Sequence, residues 1–355
     1  MTTGTTTSTP PVRRAEAEDP RIERWTATDP TSGAVLGTVD ASAAGTRRTD
    51  LARPGEVELG PATALRGDAT LPALVTAVVE RARARYAAGV VVDTTAWADG
   101  DRRRLEAVGF VGGDARGAAV RTLDLTLAED GSPTRVLDNP AMASLNGHHA
   151  RFAERRGEIV RYRTDVSVWT GVPERPTDAD WDDVAALLGS GAVLGVRPTA
   201  ALPDGWTTVE SAGGVQMTGE AITGAPDPEA VELTPDDVPE VLELIARTRP
   251  GPFLPRTIEL GRYLGIRRDG RLVAMAGERL HPPGWTEISA VCTDDAFRGQ
   301  GLGRRLVLAV AHGIRERGET PLLHAAAGNT NAIRLYEHLG FRLRDRGAST
   351  FVRVP

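Results

Sequence analysis

The sequence has no lysine: all 42 basic residues are arginine. GC-rich coding favours arginine, alanine and glycine together, and the 39 glycines agree with that origin. Cysteine is nearly missing as well. With Cys292 alone, intramolecular disulfides and thiolate metal sites are excluded, which fits a reducing cytoplasm, the expected location. No apolar run reaches the roughly 20 residues that a membrane span needs, so no membrane partner is expected. The opening stretch "MTTGTTTSTPPVRRAEAEDP" has no apolar segment of the signal-peptide kind, and residues 1–19 read as a disordered tail rich in Thr and Pro. An excess of positive charge is absent too. A net charge of -6 gives no support to a nucleic-acid partner.

What is present suffices for two or three domains: 355 residues, 41% of them hydrophobic. Breaks rich in Pro, Gly and Asp at Ala128–Pro140 and Ile222–Ala230 divide the chain into 20–127, a middle α/β segment 136–225, and 228–355. The last segment is the most legible. It predicts a short strand, then a helix with Thr234 as N-cap and Val238, Val241, Leu242 and Ile245 on one face. A hairpin around Asp269-Gly270 follows, then "TEISAVCT", a helix, "PLLHAAA", the helix "NAIRLYEHLG" and a final strand. This order implies a mixed α/β fold, a mostly antiparallel sheet flanked by helices, and not a doubly wound alternation.

Within that segment "AFRGQGLGRRL", Ala296–Leu306, starts a helix with the wrong charges. Helix N-termini favour acidic residues, yet Arg298, Arg304 and Arg305 crowd this one. An internal repeat supplies the contrast. "LRGDATLPALVTAV" (Leu65–Val78) aligns with "FRGQGLGRRLVLAV" (Phe297–Val310), and Gly109-Phe110 then falls in register with Gly340-Phe341. In the first copy Ala69 and Leu71 replace Gly301 and Gly303, Thr70 is a candidate cap, Pro72 suits a first turn, and no arginine follows. The fold therefore needs the helix but not the glycines or arginines. Open amides, the helix end and guanidinium groups together point to an anion site at Gly299–Arg305. It is neither a Walker sequence nor a dinucleotide fingerprint.

Arg-x-x-Gly-x-Gly after a strand, with "NTNAIRLYEHLGF" downstream, resembles the GNAT superfamily of acyl-CoA-dependent N-acetyltransferases over about Ala230–Pro355. The resemblance implies the GNAT fold and acetyl-CoA as co-substrate, with no metal. It places the cofactor's pyrophosphate against Gln300, Gly301, Leu302, Gly303 and Arg304, with Arg298 and Gly299 also among the cofactor-binding residues, and its pantetheine arm along Val291, Cys292 and Thr293. Asn329 and Asn331 fall to the cofactor by the same resemblance, and Tyr336 matches the family's general acid. The implied reaction is direct attack of a primary amine, of a small molecule or a peptide, on the thioester. Such a reaction needs a proton removed from an ammonium, a polarised carbonyl and a protonated thiolate. The missing lysines gain a second reading here, since a protein handling acyl groups then carries no modifiable side-chain amines of its own.

Glu287, four residues before Val291 on one strand, is expected on the same face and is the candidate base, acting directly or through water. His281 is the alternative. Cys292 reads mainly as a small buried residue, with an acyl-cysteine as its reactive alternative. His148 and His149 lack partners at metal-ligand spacing and are expected as surface or core polarity. His324 either lines the cleft or fills the sheet. In the first copy Ala98 stands for Asn329 and Leu105 for Tyr336, so 20–127 reads as a degenerate GNAT-like unit that packs against the active one or shapes its cleft. The chain before Arg66 is too short for the family's two initial helices. The tandem with one spent copy is similar to mycothiol synthases, two-domain members of the superfamily; a non-catalytic acyl-CoA-binding regulator is the further alternative. The middle segment shows no chemical motif, and Tyr162, Trp169, Trp181 and Trp206 are expected to pack its core. A homodimer is left open.

Overall fold

The structure, a computed structural model, describes residues 9–15, 22–32, 34–43, 52, 54–60, 62, 69–95, 97–114, 116–128, 131–196 and 201–355. It divides into two compact units, Met1–Asp138 and Asn139–Pro355.

The first unit runs β1 (Val12–Ala15), β2 (Ile22–Thr28), β3 (Val35–Ala43), β4 (Glu56–Leu59), α1 (Thr70–Ala84), β5 (Gly89–Asp93), α2 (Asp99–Val108), β6 (Val111–Asp114) and β7 (Gly117–Asp124). Its sheet has seven strands in the order β1-β2-β3-β4-β5-β7-β6, in which only β4 and β5 pair in parallel. Part of the stretch read as a tail is thus a strand. Val12 packs on the core and Arg14 lies 3.5 Å from Glu23, enough to hold β1 against β2. Among the described residues no helix precedes α1. Leu71, Leu74, Val75, Val78, Val79 and Ala82 form the stripe that α1 lays on the sheet. Thr70 is not the cap expected of it. Ala69 occupies that position without a side-chain bond, and Thr70 is buried inside the first turn. Arg66 and Gly67, the start of the repeat's first copy, lie outside the described residues.

The second unit begins with α3 (Pro140–Leu145), β8 (Ala153–Arg156), β9 (Ile159–Tyr162), β10 (Thr170–Gly171), α4 (Asp178–Leu188), β11 (Val193–Val196) and β12 (Thr207–Thr218). It continues with β13 (Val231–Glu232), α5 (Val238–Thr248), β14 (Tyr263–Arg268), β15 (Arg271–Glu278), β16 (Trp285–Thr293), α6 (Leu302–Glu316), β17 (Thr320–Ala326), α7 (Thr330–Leu339) and β18 (Arg342–Arg353). From β13 onward the order is the one the sequence pattern predicts. Thr234 and Asp237 form a capping box ahead of α5, entered through a short 3₁₀ turn.

β8–β10 make a small sheet of three strands, and the rest form a sheet of eight in the order β11-β18-β12-β17-β16-β15-β14-β13. The middle segment therefore contributes β11 and β12 to the same sheet as the C-terminal strands. Trp181 and Trp206 pack 4.8 Å apart, in a cluster that also holds Ile159, Leu194 and Val352. Helices cover both faces of the sheet. β15 gives Val273 and Ala276 to a core under α6, with Leu306, Val310 and Ile314, and gives Leu272 and Met275 to another under α5, with Val241 and Leu244. No helix among the described residues is long and apolar enough to cross a membrane.

Candidate active site

β16 and β17 lie side by side in parallel, and their pairing stops early. Trp285–Ile288 runs beside Thr320–Leu323; beyond that β16 continues to Thr293 and β17 to Ala326 with no ladder between them. A bulge is the cause. Between Gly277 and Met275 on β15 lies one residue, while between their partners Ser289 and Cys292 on β16 lie two, and Ala290 takes a φ of 52°. The extra residue bends β16 away, and the left-handed alanine stores about 1–3 kcal/mol of strain, of the kind that collects at functional sites. The result is a wedge in the sheet, its sides made of main-chain groups from Ser289–Thr293 and His324–Ala326 that have no partner across the gap.

Parallel strands end at the same side, so the helices after them start at the wedge's mouth. α6 follows β16 through a 3₁₀ turn, Asp295–Phe297, closed by Asp294, whose side chain accepts from the Ala296 amide. Gly301 is the N-cap of α6 at φ 75°, and no side chain caps the helix. The first internal bond runs from Arg305 N to Gly301 O at 3.1 Å, so the amides of Leu302, Gly303 and Arg304 have no intrahelical acceptor. A Cβ on Gly299 or Gly301 would meet nothing within 4 Å. Those two glycines supply positive φ and open approach rather than relief from a clash. Gly303 differs, because a Cβ there would sit 3.8 Å from both Val291 Cγ1 and Thr293 Oγ1 and a longer side chain would crowd that face of the strand. Gln300 is exposed, whereas the Leu302 side chain is buried under α6.

The three arginines separate. Arg305 is removed from the role of counter-charge: it grips Asp227 through Nε at 2.6 Å and NH2 at 2.8 Å, and Glu229 at 2.7 Å. A charge that looked misplaced at a helix start is thus matched by acids that arrive from before β13. Arg298 pairs with Asp295 at 2.7 Å, both well exposed. Arg304 is exposed and makes no ion pair among the described residues.

α7 begins at the other lip. Asn329 is its N-cap, its Oδ1 accepting from Ala332 N at 3.2 Å, and Asn331 is exposed in the first turn. Tyr336 sits on the buried face of α7, in the core with Leu302, Leu306 and Leu323 and edge-on to Phe341. Burial alone pushes its hydroxyl up to about 12.

Glu287 is not where strand alternation put it. The bulge shifts the phase, so Ile288 and Val291 share the α6 core while Glu287 turns to the other face. There it is 0% exposed and saturated. Arg279 donates to it twice, at 2.8 and 2.6 Å, Leu280 N donates at 3.3 Å, and His324 Nδ1 lies 2.7 Å from Oε1. Burial alone would raise the carboxyl; Arg279 and His324 outweigh it and hold it ionised far below the usual carboxylate range.

His324 is the first β17 residue past the last paired one, at the apex of the wedge. Arg344 donates to Gln216 Oε1 at 2.8 Å, so Gln216 presents its amide nitrogen to His324 Nε2, 3.0 Å away. The network therefore points Nδ1–H toward Glu287 and leaves Nε2 to accept from Gln216. Strand periodicity could not mark this position, because only the early end of pairing makes it an apex.

His281 stands elsewhere. Its Nε2 is 2.5 Å from Glu319 Oε1, and its backbone N donates to Ser144. His148 packs edge-on to it at 3.9 Å between ring centres, and burial, then His281, lowers His148 to about 4. His149 is a core residue, bonded to Tyr162 OH at 2.8 Å and Leu260 O at 2.9 Å. Cys292 is buried beside Val241 and Leu244, and burial raises its thiol, an inert setting rather than that of an acyl carrier.

Known proteins resemble parts of this chain. Residues 263–351 match the family described as FR47-like protein. The mycothiol acetyltransferase of Thermomonospora curvata is 41% identical over 75 residues, 21% of this chain and 25% of that protein. That of Mycobacteroides abscessus is 36% identical over 92 residues, 26% of this chain and 29% of that protein. The chain thus matches less than a third of the length of these relatives. A crystal structure from Novosphingobium aromaticivorans, assigned to the GNAT family of acetyltransferases, superposes with a TM-score of 0.57 at 35% identity, covering 62% of this chain and 98% of that one.

Proposed function

Because the chain belongs to the GNAT family of acetyltransferases, we propose that it transfers an acetyl group from acetyl-CoA to a primary amine of a small molecule or peptide by direct attack. The wedge between β16 and β17, open onto an uncapped helix start, is the observation that carries this reading. Acetyl-CoA supplies the thioester. Main-chain groups of Val291, Cys292 and Thr293 are placed to pair with amides of an extended ligand arm. The amides of Leu302, Gly303 and Arg304, the approach left clear by Gly299, Gln300 and Gly301, and the charges of Arg298 and Arg304 suit a diphosphate. Asn329 and Asn331 border the same mouth.

Tyr336, protonated throughout the neutral range, serves as hydrogen-bond donor and acid to a departing thiolate. Glu287 is too firmly ionised and too enclosed to receive a proton readily. Its part is to fix the His324 tautomer, so the pair works as a unit: His324 Nε2 takes the ammonium proton once the Gln216 amide gives way, and Glu287 steadies the imidazolium.

The test is calorimetric titration with acetyl-CoA, followed by a thiol-release assay over a panel of amines. Saturable binding with turnover on at least one amine supports the proposal. Tight binding without turnover on any would overturn it in favour of an acyl-CoA-binding regulator. The mycothiol acetyltransferases favour a second reading, in which the acceptor is theirs. Including that acceptor in the panel decides it, by a preference for it over simple amines.

A further inference from the structure

Outside the wedge, one cluster brings together residues remote in sequence. His148 follows α3, His281 lies in the connection between β15 and β16, and Glu319 lies in the turn between α6 and β17. One ligand atom from each falls within 4.8 Å of the other two. We infer that these three residues form a binding site for one divalent transition-metal ion, zinc by ligand type, clamping three connections of the second unit together.

The donor set is two imidazoles and a carboxylate, the combination that leaves a position open on zinc. Tetrahedral zinc at about 2.0–2.1 Å from its ligands holds them roughly 3.3 Å apart, so the His281–Glu319 contact at 2.5 Å opens to admit the ion, while no ligand atom starts more than 4.8 Å from the other two. The supports of a metal site are also in place. Thr286 Oγ1 donates to the second oxygen of Glu319 at 2.6 Å, which orients the carboxylate, and the Ser144 hydroxyl accepts from His281 N at 2.8 Å, which ties the β15–β16 connection to α3. His148 contrasts with its neighbour. His149 has both ring nitrogens satisfied, whereas His148, half-buried, makes no hydrogen bond among the described residues and lies against His281. A cation between their nitrogens draws both rings in.

Two cationic neighbours oppose binding: Arg151 and Arg317 both act on His148, and Arg151 is held by the Glu259 carbonyl. Arg317 lies 3.6 Å from Glu319, but its nearer partner is Glu278 at 2.8 Å, and that pair offsets part of its charge.

The experiment uses the full chain without a histidine tag, stripped with EDTA and desalted, then titrated with Zn²⁺ by calorimetry and with Co²⁺ by visible absorption. One equivalent of Zn²⁺ with a dissociation constant on the order of 1 μM or tighter is expected. Visible Co²⁺ bands of a low-coordinate N/O site and a raised melting temperature should accompany it. His148→Gln and Glu319→Gln should each weaken binding at least about tenfold, the size that even an outer partner of a metal site commands. His338→Gln, at an exposed position on α7, should leave it unchanged. Absence of saturable binding, or binding indifferent to His148→Gln, overturns the proposal. Glu319 also holds Thr286, so circular dichroism of each variant accompanies the titration and His148→Gln carries the decision. The readout is independent of acetyl transfer.

Discussion

The two units place the same local parts at the same points and differ where a ligand would enter. Ala69 and Gly301 are N-caps of the first repeated helix, Ala98 and Asn329 of the second. Gly109 and Gly340 end that second helix in left-handed C-caps, with Phe110 N bonded to Leu105 O and Phe341 N to Tyr336 O. Even the strand order corresponds: β5-β7-β6 in one unit, β17-β12-β18 in the other. The strands around the helix differ. β4 ends at Leu59, its last residue paired with β5, while β16 runs on past Ile288 through a bulge. Closed sheet goes with an alanine cap and a fully buried Leu105; open wedge goes with a glycine cap and Tyr336. The comparison teaches that the fold requires the helices, and that bulge, glycines and tyrosine are additions it does not need, as the proposed ligand site would have it.

Removing the largest addition should have the largest effect. Tyr336→Phe keeps the packing against Phe341 and leaves no proton to give, so kcat should fall on the order of 10²–10⁴-fold with acetyl-CoA affinity little changed. Thiol release and calorimetry read the two quantities separately, and unchanged turnover would end the acid assignment. Leu105→Phe in the first unit should leave kcat alone.

Next comes the buried pair. Glu287→Gln strands Arg279 in the core and should cost about 3–5 kcal/mol of unfolding free energy, as well as turnover. The pH dependence follows from the direction of the shift. Its carboxyl titrates lower in the folded chain than the roughly 4.3 of an unfolded glutamate. Its contribution is therefore complete above that value and is lost as pH falls toward the folded one. Urea midpoints should drop more steeply on acidification in the parent than in the variant; parallel slopes would contradict the assignment.

The element order from β13 onward was legible because each element carries its own period and punctuation, as in the Asp269-Gly270 turn or the Thr234 box. The repeat was legible for the same reason, since caps and C-terminal glycines are local. What escaped the sequence is what two distant strands decide together. Alternation placed Glu287 beside Val291, and one extra residue against β15 reversed it. The apex position of His324 depends on where β17 stops pairing, and the charge at Arg305 depends on Asp227 arriving from before β13. His148 likewise met His281 and Glu319 only through the fold.

A smaller effect tests the glycines. Gly303→Leu imports the residue of the closed unit and should weaken acetyl-CoA about tenfold, or 1.4 kcal/mol, by crowding Val291 and Thr293. The reciprocal Leu71→Gly should confer no binding on the first unit, because among the described residues β4 stays paired with β5 to its last residue and no bulge bends it away. Retained affinity in Gly303→Leu would move the phosphate site away from the α6 amides.

The smallest effect separates two adjacent arginines. Arg304 is exposed and unpaired among the described residues, so Arg304→Ala should weaken acetyl-CoA by a few-fold, within the 0.3–1 kcal/mol typical of an exposed charge at a helix end, and should flatten the salt dependence of binding. Arg305→Ala should alter affinity less and instead release Asp227 and Glu229, at a stability cost on the order of 1 kcal/mol, since Arg305 and Glu229 are partly solvated while the Asp227 side chain is only 8% exposed. Titrations at two ionic strengths beside melting curves distinguish the pair. If Arg305→Ala proves the more damaging to affinity, the Asp227 contact is a resting-state lock that the diphosphate opens, and the arginines crowded at this helix start would after all share one anion.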